Sequence, residues 1–207
     1  MSRSPSPAPA RRKLLDAALS LIRAKGYAAT TIDELCAHAG VAKGSFFHHF
    51  KDKEALAVAA ADYWSQTTGQ LFASAPYHDH ADPLDRVLGY VEFRRGLLCG
   101  AVPDFTCLVG TLTQEVYMSS AAIRAACEAS IFGHAATLEA DIGAAMARHG
   151  APADVTPKSL AQHTQAVLQG AFVLAKAKGA REVAVESVDH LRRYIELLFD
   201  ARKGEAA

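Results

Sequence analysis

Leu14, Leu15, Ala18, Leu21 and Ile22 fall on one stripe of a 3.6-residue repeat. They predict a first helix from about Ala10 to Lys25, closed by Gly26. Thr31-Ile32-Asp33-Glu34 reads as a capping box, in which the Thr31 hydroxyl accepts the Glu34 amide and the Glu34 carboxylate reaches back. A second helix then runs to about Ala39, Gly40 supplies a left-handed turn, and a third short helix runs from Ala42 or Lys43 to about His49. A long fourth helix spans about Lys53 to Ala73. Beyond a polar loop, Asp82-Pro83 opens a fifth helix that reaches about Cys99. Further helices are predicted over 106–117, 121–148, from Thr156-Pro157 to Gly179, and over 185–202. The prolines sit in the N-terminal tail and at junctions, β-branched runs are short, and no internal repeat is visible. The pattern is all-α, with about nine helices and a Ser/Pro-rich arm over 1–9 expected to be disordered.

Residues 31–50 are the most informative segment. A short helix, a glycine turn and a second short helix form a helix-turn-helix pattern. Leu35, Ala39, Val41, Phe46 and Phe50 fall where the two helices must pack on each other and on the first helix. The other face of the second short helix carries Lys43, Ser45, Phe47, His48 and His49, with no acid among them. Phosphate oxygens and base edges are met by such donors, so this face predicts a DNA reader.

Composition at first argues the other way. The 207 residues carry 22 Lys and Arg against 22 Asp and Glu, a formal net charge of zero, whereas nucleic-acid binders favour a basic surface. The distribution removes the conflict. Residues 1–58 hold nine basic and five acidic side chains, a net +4, and the remainder holds 13 and 17, a net −4. A basic head that is drawn to phosphates is thus joined to an acidic body expected to face away from them. Hydrophobic residues at 50% and charged residues at 21% are a globular balance. No apolar run reaches the roughly 18–20 residues of a membrane span. The N-terminus lacks the apolar core of a signal peptide, so a cytoplasmic location is expected. Cys36, Cys99, Cys107 and Cys127 form no CxxC pair and are read as free thiols.

The segment RRKLLDAALSLIRAKGYAATTIDELCAHAGVAKGSFFHHFKDKEALAV, residues 11–58, resembles the DNA-binding domain of the TetR family of transcriptional regulators. It meets almost throughout the pattern T-x-x-x-x-[IL]-x-x-x-A-G-V-x-[KR]-G-[ST]-[FL]-[FY]-x-[HY]-F-x-x-K-x-x-L. The resemblance implies a homodimer in which each chain has an N-terminal three-helix DNA-binding bundle, here 10–55. A C-terminal helical domain, here 56–203, would bind the effector and dimerise. It implies that Thr31 donates to a phosphate, that Lys43, Ser45 and His48 reach the major groove or its rim, and that His49 and Lys53 touch phosphates. Gly44 would allow close approach. Phe47 stands where the family often has Tyr, and its ring cannot donate to phosphate. Two recognition helices would lie about 34–36 Å apart, or a multiple, on a palindromic operator.

The stretch from Pro103 to Glu115 resembles a recurring form of the family's sixth helix, roughly G-C-L-x-G-x-L-x-x-E. Trp64, Tyr90, Phe93, Arg94, Phe105, Gln114, Tyr117, His134, His163 and Phe172 are candidate lining residues for an effector pocket, each also a candidate for ordinary core. Cys107 opens that helix, where the dipole favours a thiolate. With Lys176 it resembles the sensor pair of electrophile-responsive members, and packing alone is the plainer reading. Leu160, Val167, Ala171 and Leu174, with Val188, Leu191, Ile195, Leu198 and Phe199, are expected to build a dimeric four-helix bundle as well as intramolecular core.

His78-Asp79-His80 resembles a metal clip, but its spacing fixes no geometry, and neither a metal nor a cofactor is expected. No nucleophile–His–acid arrangement, phosphate loop or paired carboxylates stand out, so no enzyme is expected. The expectation is a homodimeric repressor, released from double-stranded DNA by a small-molecule or electrophile effector. An activator, or a DNA binder without a ligand, is the alternative.

Overall fold

The structure, a computed structural model, describes residues 9–200, with the side chain of Asp200 excepted. The predicted disordered arm lies, but for Pro9, outside the described residues. All regular structure in the described residues is helical: α1 Pro9–Lys25, α2 Ile32–Ala39, α3 Lys43–His49, α4 Lys53–Ala73, α5 Pro83–Gly96, α6 Val102–Phe105, α7 Leu108–Val116, α8 Ala121–Ala136, α9 Glu139–His149, α10 Pro157–Lys178 and α11 Glu182–Asp200, with one 3-10 turn at Pro76–Asp79.

Eleven α-helices replace the nine expected because two stretches behave differently. Pro103 opens a separate helical turn, α6, and the extended backbone of Thr106 and Cys107 divides it from α7. The stretch 121–148 breaks at Thr137 and Leu138, whose amides donate three residues back, to His134 and Ala135, instead of four. The Thr137 hydroxyl also takes the His134 carbonyl at 2.7 Å, a local bond that competes with the helical ladder. Helix α5 stops at Gly96, short of the predicted Cys99.

The chain divides into two compact units. One joins the residues up to Thr67 with Cys107–Ser130, and the other joins Thr68–Thr106 with the residues from Ile131 on. The core of the first is Leu14, Leu15, Ala18 and Ile22 of α1 with Leu35 of α2, Phe46 and Phe50 around α3, and Leu108 and Leu112 of α7, all buried. The core of the second gathers Tyr90 and Val91 of α5, Ile142 of α9, Leu168 and Ala171 of α10, and Val188, Leu191, Ile195 and Phe199 of α11. These α11 residues, with Leu160 and Ala171, were expected on a dimer face. Within the chain the stripe is already covered, because α10, α11 and α5 pack on one another. Of the expected face, Leu174 on α10 stays exposed, and the other exposed apolar positions lie beside it or one step round: Val173 on α10, Tyr194 and Leu197 on α11.

Candidate nucleic-acid interface and effector site

The helix-turn-helix forms as its local chemistry demands. Thr31 caps α2, its hydroxyl accepting the Glu34 amide at 3.2 Å while the Glu34 carboxylate accepts the Thr31 amide at 2.9 Å. Lys25 sits 2.5 Å from Glu34 and, with the Thr31 amide and hydroxyl, holds that carboxyl down to about 2. Gly40 ends α2 at φ 62, a left-handed conformation that favours glycine. Phe46 and Phe50 are buried with ring centroids 5.8 Å apart and pin α3 from beneath.

The opposite face of α3 is open. Lys43, Gly44, Phe47 and His48 are exposed, and Ser45 and His49 are half-buried. Phe47 is 51% exposed, a large ring with nothing of its own unit to cover it fully. No atom lies within 4 Å of where a Gly44 Cβ would stand, so packing inside the chain does not require glycine there. Lys43 pairs with Asp33 at 2.8 Å, and both side chains are largely exposed. That pair is readily exchanged for a phosphate.

Two predicted phosphate contacts are otherwise engaged. The Thr31 hydroxyl donates to the Glu34 carboxylate at 2.8 Å, completing the cap in place of reaching outward. The Lys53 ammonium donates to the carbonyls of Tyr27 and Thr30, each at 3.0 Å, and lies 4.3 Å from the Tyr27 ring centroid. Two of its three N–H groups are thereby spent on the α1–α2 turn.

The same turn is held from α7. The Glu115 carboxylate accepts the amides of Tyr27 and Ala28 at 3.0 and 2.9 Å. A Cβ on Gly26, which adopts φ 90, would collide with that carboxylate. Residues 26–30 are therefore clamped on one side by Glu115 and on the other by Lys53. Glu115 was visible as the last letter of the sixth-helix pattern, but its partners were not, because they lie 87 and 88 residues away. Cys107 opens the same helix: it is the N-cap of α7, buried, with its sulfur accepting the Gly110 amide at 3.4 Å. Burial pushes the Cys127 thiol, in the same unit, up to about 11.

The candidate pocket residues separate. Trp64, Cys107, Gln114 and Tyr117 belong to the first unit. Arg23 lies 5.3 Å from the Trp64 ring centroid. Gln114 and Tyr117 are exposed, contrary to expectation, because α7 turns Leu108–Leu112 and Val116 inward and leaves these two outside. His163 and Lys176 are likewise exposed on α10, whose buried face runs through Leu160, Thr164, Leu168 and Ala175. His163 stacks on Tyr194 at 5.1 Å. His78 of the suspected metal clip bonds the Phe72 carbonyl at 3.0 Å through Nε2.

Tyr90, Phe93, Arg94, Phe105, His134 and Phe172 do come together in the second unit. The Tyr90 hydroxyl lies 2.9 Å from His134 Nε2 and accepts the Gln165 amide at 3.0 Å. The Arg94 guanidinium faces Phe72, Tyr90 and Phe172 at 5.0, 6.0 and 5.9 Å. Phe93 and Phe105 pack on Phe72 and Phe172. Burial, then the Arg94 charge, lowers His134 to about 4. Burial also raises the Tyr90 phenol. Phe72 and Gln165 were missed, although Gln165 stands out as a polar residue on the buried stripe of α10. A groove of about 160 Å³ between α8 and α10, edged by Gln162, Gln165 and Gln169, opens beside this cluster.

A capped helix, a left-handed glycine turn and a second helix with its donor face exposed define a helix-turn-helix DNA-binding protein. Residues 14–60 match the family described as bacterial regulatory proteins, tetR family. The chain is 26% identical over 185 residues to the transcriptional repressor NemR of Escherichia coli, covering 89% of this chain and 93% of that one. The crystal structure of E. coli NemR in its reduced form superposes with a TM-score of 0.73 at 25% identity, over 90% of this chain and 97% of that one. A TetR transcriptional regulator from Chloroflexus aurantiacus gives 0.78 at 26% identity, over 90% and 94%. The HTH-type transcriptional regulator YerO of Bacillus subtilis is 41% identical over 54 residues, a match spanning 26% of this chain and 19% of YerO. The chain carries a tetR-family DNA-binding domain at residues 14–60 and is a DNA-binding transcriptional regulator.

Proposed function

We propose that the protein is a homodimeric repressor that binds a palindromic operator through α3 and leaves it when an effector binds. The observation that carries this reading is the α3 face: Lys43, Gly44, Phe47 and His48 exposed over a buried Phe46 and Phe50. Residues 10–55 serve as the DNA-binding domain and 56–203 as the effector and dimerisation domain. Lys43, Ser45 and His48 meet base edges or the groove rim, His49 and the remaining N–H of Lys53 meet phosphates, and Thr31 acts mainly as the cap of α2. The exposed apolar residues of α10 and α11 bury against a second copy. No described helix is long and apolar enough to cross a membrane, and action on DNA fits a place in the cytoplasm. The relatives that print a function are transcriptional regulators, which supports a non-catalytic role.

The test is a gel-shift titration on DNA flanking the protein's own gene. Lys43→Ala and His48→Ala should each weaken binding by about tenfold or more, the cost of a lost groove or phosphate contact. Wild-type affinity in both variants would remove α3 from the interface.

A second effector reading rests on Cys107. As the N-cap of α7 its sulfur accepts the Gly110 amide, so the start of the helix is tied to this one side chain. Glu115 at the other end of α7 holds the α1–α2 turn. Modification of the sulfur breaks the cap, and α7 carries the displacement to the turn. The likeness to NemR, a repressor crystallised in a reduced form, agrees with a thiol effector site. Quinones or maleimides should release wild-type protein from DNA and spare Cys107→Ser; release of that variant rules the reading out.

A further inference from the structure

We propose that the aromatic cluster of the second unit is an anion site, and that the effector is a small carboxylate with a flat apolar body, held by Arg94. The proposal deepens the repressor reading by naming the class of effector at this site.

Arg94 carries a charge without a counterion. Among the described residues no carboxylate pairs with it, and its Nε is sealed from solvent with no hydrogen-bond acceptor. The three surrounding rings attract the guanidinium charge but give Nε–H no hydrogen-bond acceptor. A buried donor without an acceptor is costly, more so on a charged group. The neighbouring polar groups add no negative charge. His134 is held neutral at pH 7, and the Tyr90 phenol stays protonated.

A second orphan lies close in the chain path. The Thr106 hydroxyl is fully buried and also lacks a partner. Its neighbour Phe105 packs on Phe172, the ring that Arg94 also faces. The second unsatisfied donor is thus next in the chain to a ring that packs on the aromatic residue faced by Arg94. A carboxylate supplies acceptors for such donors, and Arg Nε is half of the fork that carboxylates fit. The apolar body is selected by Phe72, Phe93 and Phe172, whose faces and edges accept a flat ring. Gln165 gives a route inward: it edges the open groove between α8 and α10 and bonds the Tyr90 hydroxyl.

The experiment is calorimetric titration of the full-length, DNA-free protein with benzoate and with benzamide, its neutral counterpart. Benzoate should bind at least about tenfold more tightly, and Arg94→Gln should lose at least that factor. Because Arg94→Gln can unfold the cluster, a second measurement uses wild-type protein: the ¹⁵Nε–¹Hε resonance of Arg94 should move downfield on saturation with benzoate. Equal binding of the two compounds, an unmoved Arg94 resonance, or no benzoate binding at millimolar concentration overturns the proposal. A gel shift run in parallel separates it from the repressor reading. Benzoate that binds by these criteria yet leaves the operator complex intact preserves the anion site and removes its role in release.

Discussion

Gly26 and Glu115 meet at one point, and neither can be exchanged freely. Gly26 adopts φ 90 directly beneath the Glu115 carboxylate. Gly26→Ala therefore adds a strained backbone and a displaced carboxylate, and should cost more than about 1 kcal/mol by chemical unfolding. An unchanged denaturation midpoint would show that the clamp is slack. His134 offers a titration with a definite sign. Its folded value, about 4, lies below the ordinary 6.5, so the native state resists protonation while the unfolded chain accepts it. The stability it contributes is full above about 6.5 and is lost as pH falls toward about 4. The thermal midpoint should drop across that window, and His134→Gln should flatten the drop; parallel curves would place the titration elsewhere. The Gly26 turn was legible as a helix stop. The reason it must be glycine was not, since half of it is a carboxylate 89 positions away.

Helices show the same division. The capping box, the Gly40 turn and the bounds of α4 follow from neighbours in sequence, because caps and glycine conformations are local. The break at Thr137–Leu138 does not, because a threonine hydroxyl that bonds back to the carbonyl three residues earlier is compatible with a continuous helix as well as with a stop. Helix α10 shows how faces are allotted. Its periodicity predicts one buried stripe, and that stripe, Leu160 to Ala175, is used inside the chain. The remaining apolar residues, Val173 and Leu174, then form a second face beside Ala166 and Gly170, which are exposed as well.

The proposed dimer uses that second face. Leu197 is 68% exposed and Tyr194 42% exposed on α11, and apolar area left open in this way favours burial against a partner. Leu197→Glu should convert dimer to monomer in sedimentation velocity and weaken operator binding, because a half-site alone forfeits the second recognition helix. A variant that stays dimeric would move the interface off α11. The charge division between residues 1–58 and the remainder should give operator binding a strong salt dependence, checked by titration at several salt concentrations.

By itself the sequence determined the helical class, the helix-turn-helix with its outward donor face, and the likeness of that segment to tetR-family DNA-binding domains, because each depends on residues a few positions apart. Only the tertiary structure decided that Lys53 and Thr31 are engaged within the chain, that Glu115 clamps the α1–α2 turn, and that Arg94 Nε is buried without an acceptor beside three rings. Those outcomes depend on contacts between distant segments, and a hydrogen-bond donor's partner is set by where folding places the nearest acceptor.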